Sequence, residues 1–345
     1  MSTATRTTRS ASHTGTGPPG SFAVTGSGLH VPPTVVTNED ITRVTHRNGD
    51  WITSRTGIRE RHRLAPELAT SDMCLDAALP ALDTAGLDAR DLDAVIVASY
   101  TPDQPMPSTS VVVKAALGAP RAVALDMGHA ACASGVHALL AAAHLLQNPS
   151  FNQVLVIGAD CASRVIHPAD RTAGVFFGDA AAAVVLSRID GKGAGLLSYD
   201  IGSELSHAVQ IPGGGSRRPL STESLTAGEH YVSMDGRAVW DTATTLLPES
   251  MTNAIRQAGM TPADIDHYFL HQANLNILRA AQQALDIPPE RMPITLDELG
   301  NTGSAGVFTA LHRAVEGHRL RSGHTFVVSA IGAGFHWGSL VLRQP

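Results

Sequence analysis

Cys132, His271 and Asn301 are the residues of this 345-residue chain whose types and settings suit covalent acyl chemistry. Cys132 lies in His129-Ala-Ala-Cys-Ala-Ser-Gly135, where small neighbours leave the sulfur approachable and a strongly helical stretch follows. A cysteine at a helix N-terminus is expected to have its thiolate stabilised by the positive end of the dipole. Taken alone, it reads equally as a buried core thiol, because free cysteine is among the most buried residue types. His271 follows the apolar run Tyr268-Phe-Leu, where a strand gives way to a helix, and active groups of open α/β sheets gather at such strand ends. Asn301 lies among glycines in the stretch 298–306, a pattern expected of backbone held close to something. A lone His or Asn in such loops also serves as a cap or hydrogen-bonding anchor. The three together supply a nucleophile and two hydrogen-bonding partners from separate segments.

Positioning three such groups requires a framework, and the apolar pattern supplies one. Short Val/Ile-rich runs at 94–99, 154–158, 180–186, 269–270 and 326–330 read as buried strands. Helical patterns at 71–85, 134–147, 241–258 and 276–285 alternate with them, so the fold class is layered α/β. The segment 86–98 resembles 259–271, and Gly135-Val-His-Ala-Leu-Leu resembles Gly306-Val-Phe-Thr-Ala-Leu. These matches are offset by about half the chain, which points to two similar halves with a site between them.

Composition narrows the classes. Hydrophobic residues make up 43% and charged residues 16%, which excludes a disordered chain and a disulfide scaffold. A formal charge of −6 gives no general attraction to nucleic acid. The three cysteines have no CxxC spacing and the 16 histidines contain no HExxH, so no metal is assigned. Cys74 and Cys161 lack the setting of Cys132. His129 and His137, close to Cys132 in sequence, are read either as tuning its pKa or as ordinary core or surface residues. No run approaches a membrane span and residues 1–20 carry no apolar leader region, so a cytoplasmic, membrane-free protein is expected, with a flexible tail over residues 1–20. An N-terminal half over 21–190 and a C-terminal half over 191–345 follow from the internal similarity.

From about residue 21 to 343 the chain resembles the ketoacyl synthase III family of the thiolase superfamily. The resemblance rests on the stretch 51–61, Ala-Cys132, Phe177-Gly-Asp179, His271-Gln-Ala-Asn274, Gly300-Asn-Thr302 and Gly332-Ala-Gly-Phe-His-Trp-Gly338. It implies a thiolase-like five-layered αβαβα fold of two duplicated halves, a homodimer, and an acyltransferase with no permanently bound cofactor. It further implies that Cys132 is acylated from acyl-CoA, while His271 and Asn301 promote decarboxylation of malonyl-ACP or malonyl-CoA. The backbone amides of Cys132 and Ala333 would bind the thioester oxygen. Trp51, Arg55, Arg164, Gly236, Trp240 and Asn274 match CoA-tunnel positions. Met106 matches a residue that reaches across the dimer into the partner's acyl pocket, and its flexibility suits a group bulkier than acetyl.

The chain also departs from the family. Asp241 and Asn276 stand where basic residues often receive an acidic acyl carrier protein, although Arg217, Arg218, Arg237 and Arg279 offer charge elsewhere. Cys-Ala-Ser-Gly, Ile331 and Phe308 replace more frequent residues, which points to an acyl pocket retuned for an unusual starter. The leading reading is a decarboxylative Claisen condensation that starts fatty acid or polyketide assembly. An alternative is acyl transfer from Cys132 to an alcohol, amine or carrier, with His271 as general base. A silent partner subunit is disfavoured by the retained cysteine.

Overall fold

The computed structural model describes residues 12–17, 21–191 and 193–345. In chain order its strands are β1 (His13–Thr16), β2 (Ser21–His30), β3 (Thr34–Thr37), β4 (Glu60–Arg63), β5 (Ala94–Ala98), β6 (Val123–Asp126), β7 (Gln153–Asp160), β8 (Ala180–Ile189), β9 (Gly195–Ser203), β10 (Val209–Gln210), β11 (Ser233–Met234), β12 (His267–Leu270), β13 (Thr325–Gly332) and β14 (His336–Arg343). Its helices are α1 (Asn38–Thr45), α2 (Gly49–Thr56), α3 (Thr70–Ala85), α4 (Thr109–Leu117), α5 (Ser134–Leu145), α6 (Thr222–Thr226), α7 (Gly236–Gln257), α8 (Leu275–Leu285), α9 (Leu296–Leu299) and α10 (Gly306–Glu316).

Two five-stranded sheets carry the fold, ordered β2-β8-β7-β5-β6 and β1-β9-β14-β13-β12. Strands such as β5, β13 and most of β8 are apolar and buried along their length because helices cover both faces of each sheet. Helices α3 and α4 pack outside the first sheet, and α7 and α8 outside the second. Between the sheets lie α5 and α10, each touching strands of both. The result is the expected five-layered αβαβα arrangement.

The central layer is thin because α5 is built on small residues: Ala138, Ala142 and Ala143 are fully buried with Leu139 among the sheet residues. Opposite them, α10 contributes Val307, Phe308 and Leu311 to the same core. Separate clusters fill the outer layers, around Met73 and Leu155 on one side and Leu247 and Met251 on the other.

The duplication is visible in strand direction. Along β2-β8-β7-β5 the neighbours run antiparallel, antiparallel, then parallel, and β9-β14-β13-β12 repeats that order. Short 3-10 turns, Ala131–Ala133 and Gly303–Ala305, precede α5 and α10 in the two halves. The first sheet is drawn from residues 21–189, and four strands of the second from 195–343.

Two sequence expectations change. Much of the tail expected over residues 1–20 lies outside the described residues, but His13–Thr16 is a strand, antiparallel to β9. The open edge of β9 offers unpaired backbone groups that this segment satisfies. Helix α7 begins at Gly236 rather than 241, because the Asp235 carboxylate accepts from the amides of Arg237 and Ala238 and caps the extra turn.

Candidate active site

Cys132 occupies the 3-10 turn that runs into α5. The turn is strained: Ala131, a non-glycine residue, has φ +45°. Ser304 Oγ, from the equivalent turn of the other half, donates to Ala131 O at 3.1 Å and steadies it. Gly332, the last residue of β13, allows the close approach, since a Cβ there would meet Ala130 O and stand 3.0 Å from Cys132 N. Burial pushes the Cys132 thiol up to about 12, and the Asp160 carboxylate adds to the rise. The Cys132 backbone amide pulls the other way.

His271 follows β12, with its N–H donating to Ser329 O at 2.8 Å. It is buried, and burial pulls its pKa down to about 4, so the imidazole is neutral at pH 7. Nδ1 is buried without a partner, and Gly306 packs against it: a Cβ there would lie 3.0 Å away. The ring lines a cavity, which leaves Nε2 as the nitrogen facing it.

Asn301 is fixed by its own backbone. Its N–H donates to Phe176 O at 2.8 Å, and its carbonyl accepts from Gly178 N–H at 3.0 Å. Its Oδ1 accepts from Gly303 N–H at 3.0 Å. That orientation turns the two N–H donors of Nδ2 away from the loop. Nearby, Gln272 accepts from the amides of Thr295 and Leu296 and so fastens the Asn301 segment to the end of β12.

The fold brings all three side chains onto the wall of one cavity of about 280 Å³. Ala333 and Gly332 line it beside Cys132, and the rest of its wall is largely apolar, including Phe177, Ile331 and Phe335. A smaller cavity of about 80 Å³ shares Phe177, Met234, Ile277 and Asn301 with the first and adds Gly236, Trp240 and Asn274. Trp240, exposed at 41%, sets the outer wall of the smaller cavity at the surface.

Other residues singled out from sequence fall elsewhere. Trp51 and Arg55 lie on α2, off both cavity walls. Arg47 stacks over the Trp51 ring at 4.7 Å, and Arg55 O accepts from Asn276 Nδ2 at 2.8 Å. Arg164 is the clearest departure: its Nη2 donates to the carbonyls of Ala65, Pro66 and Leu68, so its guanidinium braces a loop of this chain. Met106 is 85% exposed and lines neither cavity.

His129 and His137 meet His336 in a separate depression, with ring centroids 5.6–6.0 Å apart, and do not line the catalytic cavity. Cys74 is buried in the α3 core, and Cys161 lies beside Asp179. Among the described residues no group of three His, Cys, Asp or Glu is arranged to hold a metal ion, and no helix is long and apolar enough to cross a membrane.

Asp241 pairs with Arg237 at 3.5 Å, while Arg217 and Arg279 are exposed. Arg218 pairs with Glu229. Sequence reasoning missed Asp160, Ser304 and Tyr100: the buried Asp160 carboxylate accepts from Ser304 N–H at 2.7 Å and from Tyr100 N–H at 2.9 Å. The one available signal was the internal repeat, whose match of Gly135 with Gly306 sets Gly303 and Ser304 against Cys132 and Ala133.

Residues 125–205 match the family described as 3-oxoacyl-[acyl-carrier-protein (ACP)] synthase III, and residues 255–344 match its C-terminal family. A beta-ketoacyl-[acyl-carrier-protein] synthase III of Symbiobacterium thermophilum is 41% identical over 93% of this chain and 97% of its own. The corresponding protein of Roseiflexus sp. is also 41% identical, over 93% and 98%. Among solved structures, the 3-oxoacyl-[acyl-carrier-protein] synthase III of Aquifex aeolicus superposes with a TM-score of 0.85 at 32% identity, covering 93% of this chain and 99% of its own. The priming beta-ketosynthase of the R1128 polyketide biosynthetic pathway gives 0.87 at 29% identity, covering 95% and 98%. With its two similar halves, its thiol between them and these relatives spanning nearly the whole chain, the protein belongs to the beta-ketoacyl-[acyl-carrier-protein] synthase III family.

Proposed function

We propose that the protein is a starter ketosynthase that condenses an acyl group held on Cys132 with a malonyl thioester. In the loading half-reaction Cys132 Sγ attacks the carbonyl of an acyl-CoA. The new S–C bond forms, the bond to the CoA sulfur breaks, and the cysteine proton ends on the departing thiol. The amides of Cys132 and Ala333 stabilise the tetrahedral oxyanion in between. Gly332 supports this role by letting the two backbone segments meet.

In the condensing half-reaction a malonyl thioester loses carbon dioxide, and the electron pair left behind is held as an enolate. His271 Nε2–H and Asn301 Nδ2–H donate to its oxygen. The enolate carbon then attacks the acyl thioester, forming the carbon–carbon bond and breaking the bond to Cys132 Sγ, which leaves as a thiolate and takes a proton from solvent to return to the thiol. A neutral imidazole suits this step because it donates without presenting a cation to the carboxylate that must leave. The observation that carries the reading is the Gly303 N–H on Asn301 Oδ1, which commits the amide oxygen and reserves the amide nitrogen for the cavity.

The pantetheine arm is proposed to run past Trp240, Gly236 and Asn274 of the smaller cavity. Trp51, Arg55 and Arg164, which the family resemblance sets beside CoA, are proposed to meet its nucleotide end. Met106, 85% exposed in the single chain, is proposed on the family resemblance to enter the acyl pocket of a second copy. The malonyl group arrives on an acyl carrier protein or on CoA, with Arg217 and Arg279 as the free surface charge available to an acidic carrier.

The test is incubation of the purified protein with an acyl-CoA panel and malonyl-ACP or malonyl-CoA, with carbon dioxide release and intact mass as readouts. Failure across the panel rejects the reading. An acyl adduct that passes to alcohols or amines without carbon dioxide release would replace it with simple transfer.

A further inference from the structure

Arg61, in β4, is a fully buried guanidinium whose hydrogen-bond acceptors are all uncharged oxygens. Nη1 donates to Asn38 Oδ1 at 2.8 Å and to Val36 O at 3.3 Å, and Nη2 donates to Val175 O at 2.8 Å. Nε is buried with no partner among the described residues. Burial pulls its pKa down to about 10, so the group is still a cation at pH 7. A buried charge without an opposite partner is costly, and an apolar side chain of similar volume would fill the space without that cost. What the guanidinium adds is direction. Its planar fork presents donors at fixed angles and so ties β3 and the start of α1 to the 175–178 segment.

The segment that Arg61 holds is the one that holds Asn301. One residue beyond Val175, Phe176 O accepts from Asn301 N–H at 2.8 Å, and Gly178 N–H donates to Asn301 O at 3.0 Å. Phe177, between them, pairs with Asn301 as an isolated bridge and lines the catalytic cavity. The stem of Arg61 supports both strips from below. A Cβ on Gly178 would lie 2.9 Å from Arg61 Cβ, and one on Gly300 would lie 3.0 Å from it. Gly300, next to Asn301, has φ +69°, a conformation that glycine adopts freely. On the far side Asn38 is itself fixed, because its Nδ2 donates to Ile58 O at 2.8 Å and to Thr53 Oγ1 at 2.9 Å and leaves Oδ1 for Arg61. The acceptors of Arg61 lie outside the Cys132 turn, the Ala333 hairpin and the end of β12 that carries His271.

We propose that Arg61 is a positioning residue for the condensing half-reaction: its fork and stem set the 175–178 segment, and through it the backbone of Asn301, without bearing on the attack of Cys132 on acyl-CoA. The inference rests on the proposed synthase reading, which gives Asn301 its task, but the tie itself is measurable without substrate. Asn301 acts only after Cys132 has been loaded. Disturbing Arg61 therefore separates two half-reactions that share one cavity.

The experiment compares Arg61→Lys, which keeps the charge and loses the fork, with the wild-type protein. Decarboxylation of a malonyl thioester, read as carbon dioxide release, is expected to fall by about 10–10²-fold, the usual cost of a slightly misplaced catalytic group. Acylation of Cys132 at saturating acyl-CoA, read by intact mass, should stay near the wild-type rate. Equal loss of both half-reactions overturns the proposal, and so does undiminished decarboxylation. In a double-mutant cycle Arg61→Lys should add almost nothing to the loss that Asn301→Ala already causes, because a residue acting through another is non-additive with it. Additive losses, the mark of general loosening, overturn it. Hydrogen exchange without substrate should quicken at the amides of Gly178 and Asn301 in Arg61→Lys and stay unchanged in β13, and unaltered exchange at those two amides overturns the tie. Asn38→Ala removes one acceptor and leaves Arg61 in place, so it should show the same selective loss in smaller degree. It decides the case if Arg61→Lys does not fold, and an absence of selective loss there overturns the proposal. Should the wild-type protein neither take an acyl group nor release carbon dioxide, the synthase reading fails while the exchange profile still decides the tie.

Discussion

Gly303 N–H donates to Asn301 Oδ1 at 3.0 Å, so a backbone amide two residues away decides which end of the Asn301 carboxamide faces the cavity. The asparagine is thereby a donor and not an acceptor toward anything bound beside Cys132.

Asn301→Asp retains an oxygen for Gly303 but replaces the donor with a second acceptor. Decarboxylation of the malonyl thioester is expected to fall about 10²–10³-fold, the usual effect of removing one such donor. Acylation of Cys132, followed by intact mass, should persist at near the wild-type rate. Equal loss of both half-reactions would place Asn301 in a structural role.

Gly332→Ala puts a methyl group against Ala130 O and 3.0 Å from Cys132 N. The hairpin between β13 and β14 must retreat, which separates the amides of Cys132 and Ala333. Overpacking of this kind destabilises by about 1–3 kcal/mol. Acylation should drop well beyond what the change in melting temperature explains, and stopped-flow release of CoA thiol measures it.

His271 supplies a pH dependence of stability. Its folded pKa, about 4, lies below the ordinary histidine value of 6.5. Between those values the unfolded chain binds a proton that the folded chain refuses, so stability falls as pH drops from about 6.5 to 4. The contribution is roughly 3 kcal/mol at 1.36 kcal/mol per pKa unit. His271→Asn, which carries no titrating group, should flatten that part of the urea-unfolding profile, and an unchanged slope would assign the effect to another group.

Trp240→Ala and Arg164→Ala separate the path wall from the brace. Trp240 lines the outer cavity, so its loss should raise KM for acyl-CoA several-fold with stability nearly unchanged. Arg164 holds three carbonyls of the 65–68 segment, so its loss should loosen that loop, read by hydrogen exchange at 65–68, with a smaller change in KM.

Phe308 tests the central layer. It is fully buried on α10 between the two sheets, where truncation to Ala should destabilise by about 3–5 kcal/mol in urea unfolding. Phe308→Leu should be milder because most of the volume is kept.

The alternation of apolar strands and helices, the half-chain repeat and the identities of Cys132, His271 and Asn301 were legible in residue order, because strand burial and helix periodicity are local properties. The start of α7 was not legible, because it depended on a single capping carboxylate, Asp235, that breaks no apolar pattern. Arg164 matched a CoA position by order alone, and its side chain turned instead to three carbonyls more than 90 residues away in sequence.

Sequence by itself determined which groups were available for acyl chemistry and the layered frame that carries them. Tertiary structure decided their states and directions: the neutral His271, the raised Cys132 thiol, the donor end of Asn301 and the partners of the buried Asp160. Each of those depends on burial or on a partner distant along the chain, and desolvation and hydrogen-bond direction exist only once the two halves have closed around the cavity.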